Sequence, residues 1–194
     1  MATNYNKKIS ETTIRLGEVR FGYVHVFAPR KNDDGTEGKY GVQILIPKTD
    51  TQAVKLIQEA AEAAKQKGPK SGWGNKAAAA KKLTANLRDG DEEKEGDSTY
   101  EGMWFINANT PATQKPGVRV LENGMIGEAL DGDDFYSGCW GAVTVSMYAY
   151  SNSGNIGIGC ALNNVIKTRD DERLSGSSNA DSDFSDLASS SCLD

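Results

Sequence analysis

The fold is decided by CWGAVTVSMYAY (Cys139–Tyr150) and IGIGCALNNVIK (Ile156–Lys167), two runs separated by the turn sequence SNSGN (Ser151–Asn155). Both runs are rich in β-branched and aromatic residues, and the linker between them is rich in turn formers, which together spell an antiparallel hairpin. In the first arm Val143, Val145 and Met147 share one face, while Trp140, Ala142, Thr144, Ser146, Tyr148 and Tyr150 share the other. Successive strand side chains point to opposite sides. The hairpin therefore has one aliphatic face for a core and one aromatic, hydroxylated face for something else.

Working outward, the same period of two recurs. VRFGYVHVF (Val19–Phe27) reads as a strand stopped before Pro29, and RKNDDGTEGK as a turn-rich loop pivoting on Asp34-Gly35. KYGVQILIP follows, with Tyr40, Val42, Ile44 and Ile46 on one face and Lys39, Gly41 and Gln43 on the other. The period then changes. Val54, Ile57, Ala61 and Ala64 recur at helical spacing between Asp50 and Lys67, with Thr49 or Asp50 as N-cap and Gly68-Pro69 as the stop. NKAAAAKKLTANL (Asn75–Leu87) predicts a second helix, and RDGDEEKEGDS a solvated acidic loop. Strands resume at YEGMWFINA (Tyr100–Ala108), where the adjacent Trp104 and Phe105 must face opposite sides, and at VRVL (Val118–Leu121).

Strands, then helices, then strands fit a small mainly β barrel with α insertions better than alternating βαβ units. The expected organisation is one barrel domain over residues 1–169, with a helical insertion at about 49–88, and a disordered acidic tail over 170–194. Charge supports that division. Between Asp170 and Asp194 there are seven acids and one base, a net of −6, which leaves the preceding 169 residues at +1 out of a total of −5. The final SSNADSDFSDLASSSCLD (Ser177–Asp194) has no lysine or arginine and too little apolar surface to offset the entropy of ordering it.

Three cysteines, Cys139, Cys160 and Cys192, form no C-x-x-C pair. A turn near Ser153 sets Cys160 opposite about Val145 rather than Cys139, so no disulfide is expected and a reducing compartment fits. A single histidine, His25, is expected to be structural and cannot build a His/Cys zinc site alone. There is no apolar run of membrane-spanning length and no signal-peptide stretch, so a cytosolic protein is expected.

Two constellations suggest nucleic acid. Lys65 to Arg88 holds seven bases (Lys65, Lys67, Lys70, Lys76, Lys81, Lys82, Arg88) and no acid, around Trp73 in a glycine-rich loop. Such a segment attracts phosphate, and an exposed indole lets a base stack. The second is the aromatic face of Trp140, Tyr148 and Tyr150, whose alternative is a second core layer. Arg20, Arg30, Lys39, Lys115 and Arg119 complete the candidate phosphate contacts. The acidic stretches at Asp89–Glu93 and Asp131–Asp134 read as solvated turns; the first lacks the glycine and glutamate of an EF-hand. No phosphate-binding Gly-Lys-Ser/Thr, dinucleotide fingerprint or G-x-S-x-G is present, so no catalytic set and no cofactor is expected.

GYVHVFAP, KYGVQILIPKTD, GMWFINA and above all FYSGCWGAVTVSMYAYSNSGNIGIGCALNNVIKTRDDERLSG followed by ADSDFSDL resemble a family of phage single-stranded DNA-binding proteins. The resemblance covers most of the chain. It implies an OB-fold, here a five-stranded antiparallel barrel elaborated by two helices. It also implies non-catalytic, sequence-tolerant binding of single strands in phage replication and recombination, inside the host cytoplasm. The acidic tail of such proteins competes with DNA and engages replication partners such as a polymerase or helicase/primase. Asp181, Asp183, Phe184, Asp186 and Leu187 are the tail residues expected to do so here, although the chain ends Cys-Leu-Asp and not in the bacterial acidic run closed by Pro-Phe. A homo-oligomer is compatible with this reading. Two other classes remain open from residues alone: a structural phage accessory protein, and a metal-dependent nuclease using Asp131, Asp133 and Asp134.

Overall fold

The computed structural model describes residues 5–71, 73, 84–152 and 155–174. Among the described residues nine strands form one sheet: β1 (Lys7–Lys8), β2 (Thr13–His25), β3 (Lys39–Pro47), β4 (Arg88–Asp89), β5 (Met103–Pro111), β6 (Gly117–Glu122), β7 (Met125–Glu128), β8 (Trp140–Asn152) and β9 (Asn155–Arg169). Five of them close into a barrel. β2 pairs with β3 and β8, β3 with β5, and β8 with β9, all antiparallel; β5 then meets β9 through Asn109 and Ala161. That last pairing is parallel, so the barrel is not antiparallel throughout as the sequence suggested. With the parallel seam the order is that of an OB-fold.

Alternation explains the core. Val42, Ile44 and Ile46 of β3, Ile106 and Ala108 of β5, and Val143, Val145 and Met147 of β8 all point inward and are buried. The sequence-derived faces of β3 and β8 are those observed. The β8–β9 hairpin register sets Met147 opposite Cys160, two residues from the expected Val145, because Asn152 and Asn155 close the hairpin. Cys139 and Cys160 are free, as expected. Burial pushes their thiols up to about 11 and about 12.

β2 starts at Thr13, six residues before its predicted start at Val19, and two register shifts bend it. One falls between Leu16 and Val19 against β8, the other between Gly22 and His25 against β3. Glu18 (φ 51°) and Tyr23 (φ 47°) occupy these bulges in the left-handed region.

The helix α1 (Thr51–Gln66) lies between β3 and β5 and packs on β8 and β2. Its buried stripe is Ile57 with Ala53, Ala60, Ala61 and Ala64, and the four alanines let the helix approach the barrel closely. Asp50 is the N-cap, its carboxylate accepting the Ala53 amide at 2.9 Å. The predicted second helix lies largely outside the described residues, and its last four, 84–87, are not helical.

The acidic stretch after β4 is not a free loop. Asp89 caps the one-turn helix α2 (Gly90–Glu93), and the chain then folds over the outer face of β3 and β5. There Tyr100, Leu45 and Phe105 make a second small core, with the Tyr100 and Phe105 rings edge-on at 5.2 Å. Lys48 lies between Asp89 and Asp91, which lowers the Asp91 carboxyl and raises the Lys48 ammonium. Both Trp104 and Phe105 therefore find apolar cover, on opposite sides of β5.

Asp170–Leu174 lie on the barrel instead of leaving it. The Asp171 carboxylate accepts the Trp140 indole N–H at 2.7 Å, Asp170 takes Lys167 at 2.8 Å, and the Leu174 amide donates to Ser137 O at 2.8 Å.

Candidate nucleic-acid interface

Beyond the Leu45–Phe105 pair, the outward residues in the middle of β3 and β5 are amides and glycine. Gln43, Asn107 and Asn109 form the floor, and Gly41 leaves the room that Asn109 Oδ1 occupies. Gln43 Nε2 donates to Asn107 Oδ1 at 3.2 Å, while the Tyr100 hydroxyl donates to Gln43 Oε1 at 2.5 Å. Burial, then the neighbouring Tyr23 phenol, pushes Tyr100 up to about 12, so it remains a donor at neutral pH.

Above this floor runs a groove of about 730 Å³. Arg30 and Lys31 of the β2–β3 loop and Lys39 at the start of β3 wall one side; Arg88 and Lys94 stand on the other, and Tyr23 and His25 at the head. Arg88 stacks over Phe105 at 4.7 Å and is held by Glu93, which raises its guanidinium further. Five cations face two acids, Asp33 and Glu37. Arg30, Lys31 and Lys39 are exposed and carry no ion pair among the described residues.

The groove continues at both ends. A second cavity of about 330 Å³ shares Lys39, Asn107 and Asn109 with it and reaches Tyr148 and Tyr150 on the hairpin. A third, of about 370 Å³, shares Tyr23 and Gln43 and ends at Ser137 and Leu174. Tyr148 is 45% and Tyr150 40% exposed, with ring centroids 6.3 Å apart. Their rings lie across Gly159 and Gly157 on β9, where a Cβ would overlap them. Glycine at both positions lets the two rings lie down against the hairpin. The result is one track running from Leu174 past Tyr23, along the amide floor, to the two tyrosines.

The candidate residues divide accordingly. Arg30, Lys39, Arg88, Tyr148 and Tyr150 lie on the track. Trp73 does not: it is 2% exposed, its indole N–H donating to Tyr150 O at 2.8 Å. An indole this size among lysines gains more by joining the core than by standing in water, so the expectation of an exposed stacking platform is corrected. Trp140 is half-buried, held by Asp171 and capped by the Arg169 guanidinium at 4.6 Å. Arg20 is engaged in structure, its Nε donating to Gly138 O and an Nη to Glu172 O, both at 3.0 Å. Lys65 and Lys67 pair with Glu62 and Glu11. Lys70 is exposed on the 3-10 turn after α1. Lys115 precedes β6, and Arg119 of β6 bonds to Val118 O beside Glu128; neither reaches the groove. Lys76, Lys81, Lys82 and the tail residues Asp181, Asp183, Phe184, Asp186 and Leu187 lie outside the described residues.

Sequence reasoning missed Tyr23, Lys31, Lys94, Gln43, Asn107 and Asn109, and took His25 as structural, whereas it is exposed at the groove head. The available signal was two polar amides, Asn107 and Asn109, alternating on one face of a strand that otherwise reads apolar. The Asp131–Asp134 stretch builds its own turn: Asp131 accepts the Asp133 amide, Asp134 the Leu130 amide, and Asp133 pairs with Arg173 at 2.9 Å. Among the described residues no group of His, Cys, Asp and Glu converges on a metal position, and no helix is long and apolar enough to cross a membrane.

Residues 12–192 match the family model described as Enterobacter phage Enc34, ssDNA-binding protein. A curated relative, putative protein p50 of Acyrthosiphon pisum secondary endosymbiont phage 1, is 33% identical over 184 residues, covering 90% of this chain and 94% of its own. The Enc34 single-stranded DNA-binding protein, solved in complex with ssDNA, superposes with a TM-score of 0.68 at 25% identity, over 90% of this chain and all of that one. The single-stranded DNA-binding protein gp2.5 of bacteriophage T7 shares the fold at 16% identity, with a TM-score of 0.57 over 91% of this chain and 94% of its own.

Proposed function

Because the chain belongs to the Enterobacter phage Enc34 ssDNA-binding protein family, we propose that it binds and protects single-stranded DNA without reading its sequence. The observation that carries this is the continuous track, with a polar floor, cationic walls, and exposed tyrosines at Tyr23 along it and at Tyr148 and Tyr150 at its far end. Arg30, Lys31, Lys39, Arg88 and Lys94 neutralise phosphates and release counterions. Tyrosine rings stack bases, which tolerates any base because each has a π-face. Amides offer a donor and an acceptor side by side, so the floor satisfies varied base edges. The protein is not an enzyme in this reading. It serves phage replication and recombination in the host cytoplasm.

The tail acts as a tethered competitor. Residues 170–194 carry a net charge of −6, and the last described residue, Leu174, lies at one end of the track. An anion tethered there has a high effective concentration over the groove. When DNA displaces it, Phe184 and Leu187 with their flanking aspartates become available to replication proteins such as a polymerase or helicase.

Titration of labelled oligo-dT and of the matching duplex, at several salt concentrations, tests the reading. Salt-sensitive binding of the single strand is expected. No binding of it at low salt overturns the proposal, and Mg²⁺-dependent cleavage of it would instead favour a nuclease.

A further inference from the structure

Tyr23 combines three properties that a strand residue seldom shows together. It has φ 47°, in the left-handed region that favours glycine; it is 66% exposed; and it stands at the junction of two sections of the groove. A bulky side chain in this region is strained and persists only where the surroundings fix it. Asn123, another positive-φ residue, is of a type that tolerates the region and sits in the β6–β7 turn before Gly124. Tyr23 has no such excuse.

What fixes it is visible. The register of β2 against β3 breaks between Gly22 and His25, so Tyr23 lies in the bulge. The next amide, of Val24, has left the ladder and donates instead to Ser137 Oγ at 3.0 Å. Val26, three residues after Tyr23, and Phe21, two residues before it, are fully buried, so the chain is anchored on both sides. A bulge re-aims the side chain it carries. Here it turns an aromatic ring out of the barrel wall and into the head of the groove, beside Gln43 and Tyr100.

Burial cannot be the reason, because Tyr23 is 66% exposed; the part of it that is engaged is the hydroxyl, against that of Tyr100. We propose that Tyr23 is a strained stacking platform: the bulge sacrifices fold stability to hold this ring where a nucleobase enters the groove. The inference rests on the single-stranded DNA reading above and adds which residue dominates base contact and why the backbone there is irregular.

Tyr23→Gly in the full chain tests it. Glycine occupies the same φ without strain, so the melting temperature should rise by about 2–4 °C. Removing the ring should weaken oligo-dT binding by about 5- to 150-fold. The slope of log affinity against log salt should stay unchanged, because no phosphate contact is lost. Tyr23→Phe should keep affinity within about 2-fold, since a stacked ring needs no hydroxyl. Tyr23→Asn, which also tolerates the left-handed region, should repeat the glycine result and serves if the glycine variant folds poorly. Wild-type affinity in Tyr23→Gly and Tyr23→Asn overturns the platform, and a lowered melting temperature in both overturns the strain. If the wild-type chain itself binds no oligo-dT, it is the single-stranded DNA reading that fails.

Discussion

The indole N–H of Trp73 donates to the carbonyl oxygen of Tyr150 at 2.8 Å, joining the chain after α1 to the tip of the β8–β9 hairpin. Tyr150 is one of the two exposed rings at the end of the track, so a buried residue supports an exposed one. Trp73→Ala should destabilise the protein by about 3–5 kcal/mol, the range for deleting a large buried aromatic. Trp73→Phe keeps most of the packing but leaves the Tyr150 carbonyl short of a partner, and should cost about 1–3 kcal/mol. Denaturant unfolding measures both. Native Trp73 emission should be that of a buried indole and should change little when DNA binds.

The groove cations make a quantitative prediction. Arg30, Lys31 and Lys39 are exposed on one wall, so replacing any of them with alanine should leave unfolding within about 0.5 kcal/mol of wild type. Each substitution should lower the magnitude of the log–log salt slope by about 0.7, the single-strand value per phosphate. The weakening should be equal for poly-dT and mixed sequences. Lys115→Ala and Arg119→Ala, which lie off the groove, should leave the slope unchanged. An equal loss at all five positions would place the DNA elsewhere.

The strand faces were legible because a half-buried strand writes its environment into a period of two, as Val42, Ile44 and Ile46 do opposite Gly41 and Gln43. The hairpin was legible for the same reason, and its register was missed by two residues because sequence does not show which two residues of SNSGN make the turn. The groove was not legible. Its floor joins Gln43 of β3 to Asn107 and Asn109 of β5, and only the barrel pairing makes them neighbours. The counting of lysines favoured Lys65–Arg88, yet Lys65 and Lys67 are paired and only Arg88 of the described members faces the groove. Charge in sequence measures attraction to phosphate; it does not say which side of the barrel faces it.

Two truncations should behave differently. Ending the chain after Leu174 removes most of the tail but keeps the Asp170–Leu174 strap, so stability should be that of the full chain while DNA binding tightens at low salt. Ending it after Arg169 also removes Asp171 from Trp140, Asp170 from Lys167 and Leu174 from Ser137. That chain should melt lower. The difference should depend on pH with a defined sign. Lys167, then the Tyr136 hydroxyl, lower the Asp170 carboxyl, and the Trp140 N–H lowers that of Asp171. Depressed carboxyls contribute stability above their ordinary value near 3.8 and lose it as pH falls through the folded value. The melting gap between the two truncations should therefore be constant from about pH 5 to 7 and shrink below about pH 4. A gap that widens on acidification would contradict the ion-pair account of the strap.

The glycines under the two tyrosines separate shape from chemistry at the far end of the track. A Cβ at position 159 would overlap the Tyr148 ring, and one at 157 the Tyr150 ring, although both positions lie in regular strand where valine is otherwise favoured. Gly159→Val should force Tyr148 off its bed, giving a cost of about 1–3 kcal/mol typical of overpacking and a loss in oligo-dT affinity. Gly159→Val combined with Tyr148→Ala removes the clash and should recover stability while leaving affinity low. Urea unfolding and oligo-dT anisotropy on the two variants read these outcomes independently. Recovery of affinity together with stability would mean that Tyr148 supports the hairpin and does not touch DNA.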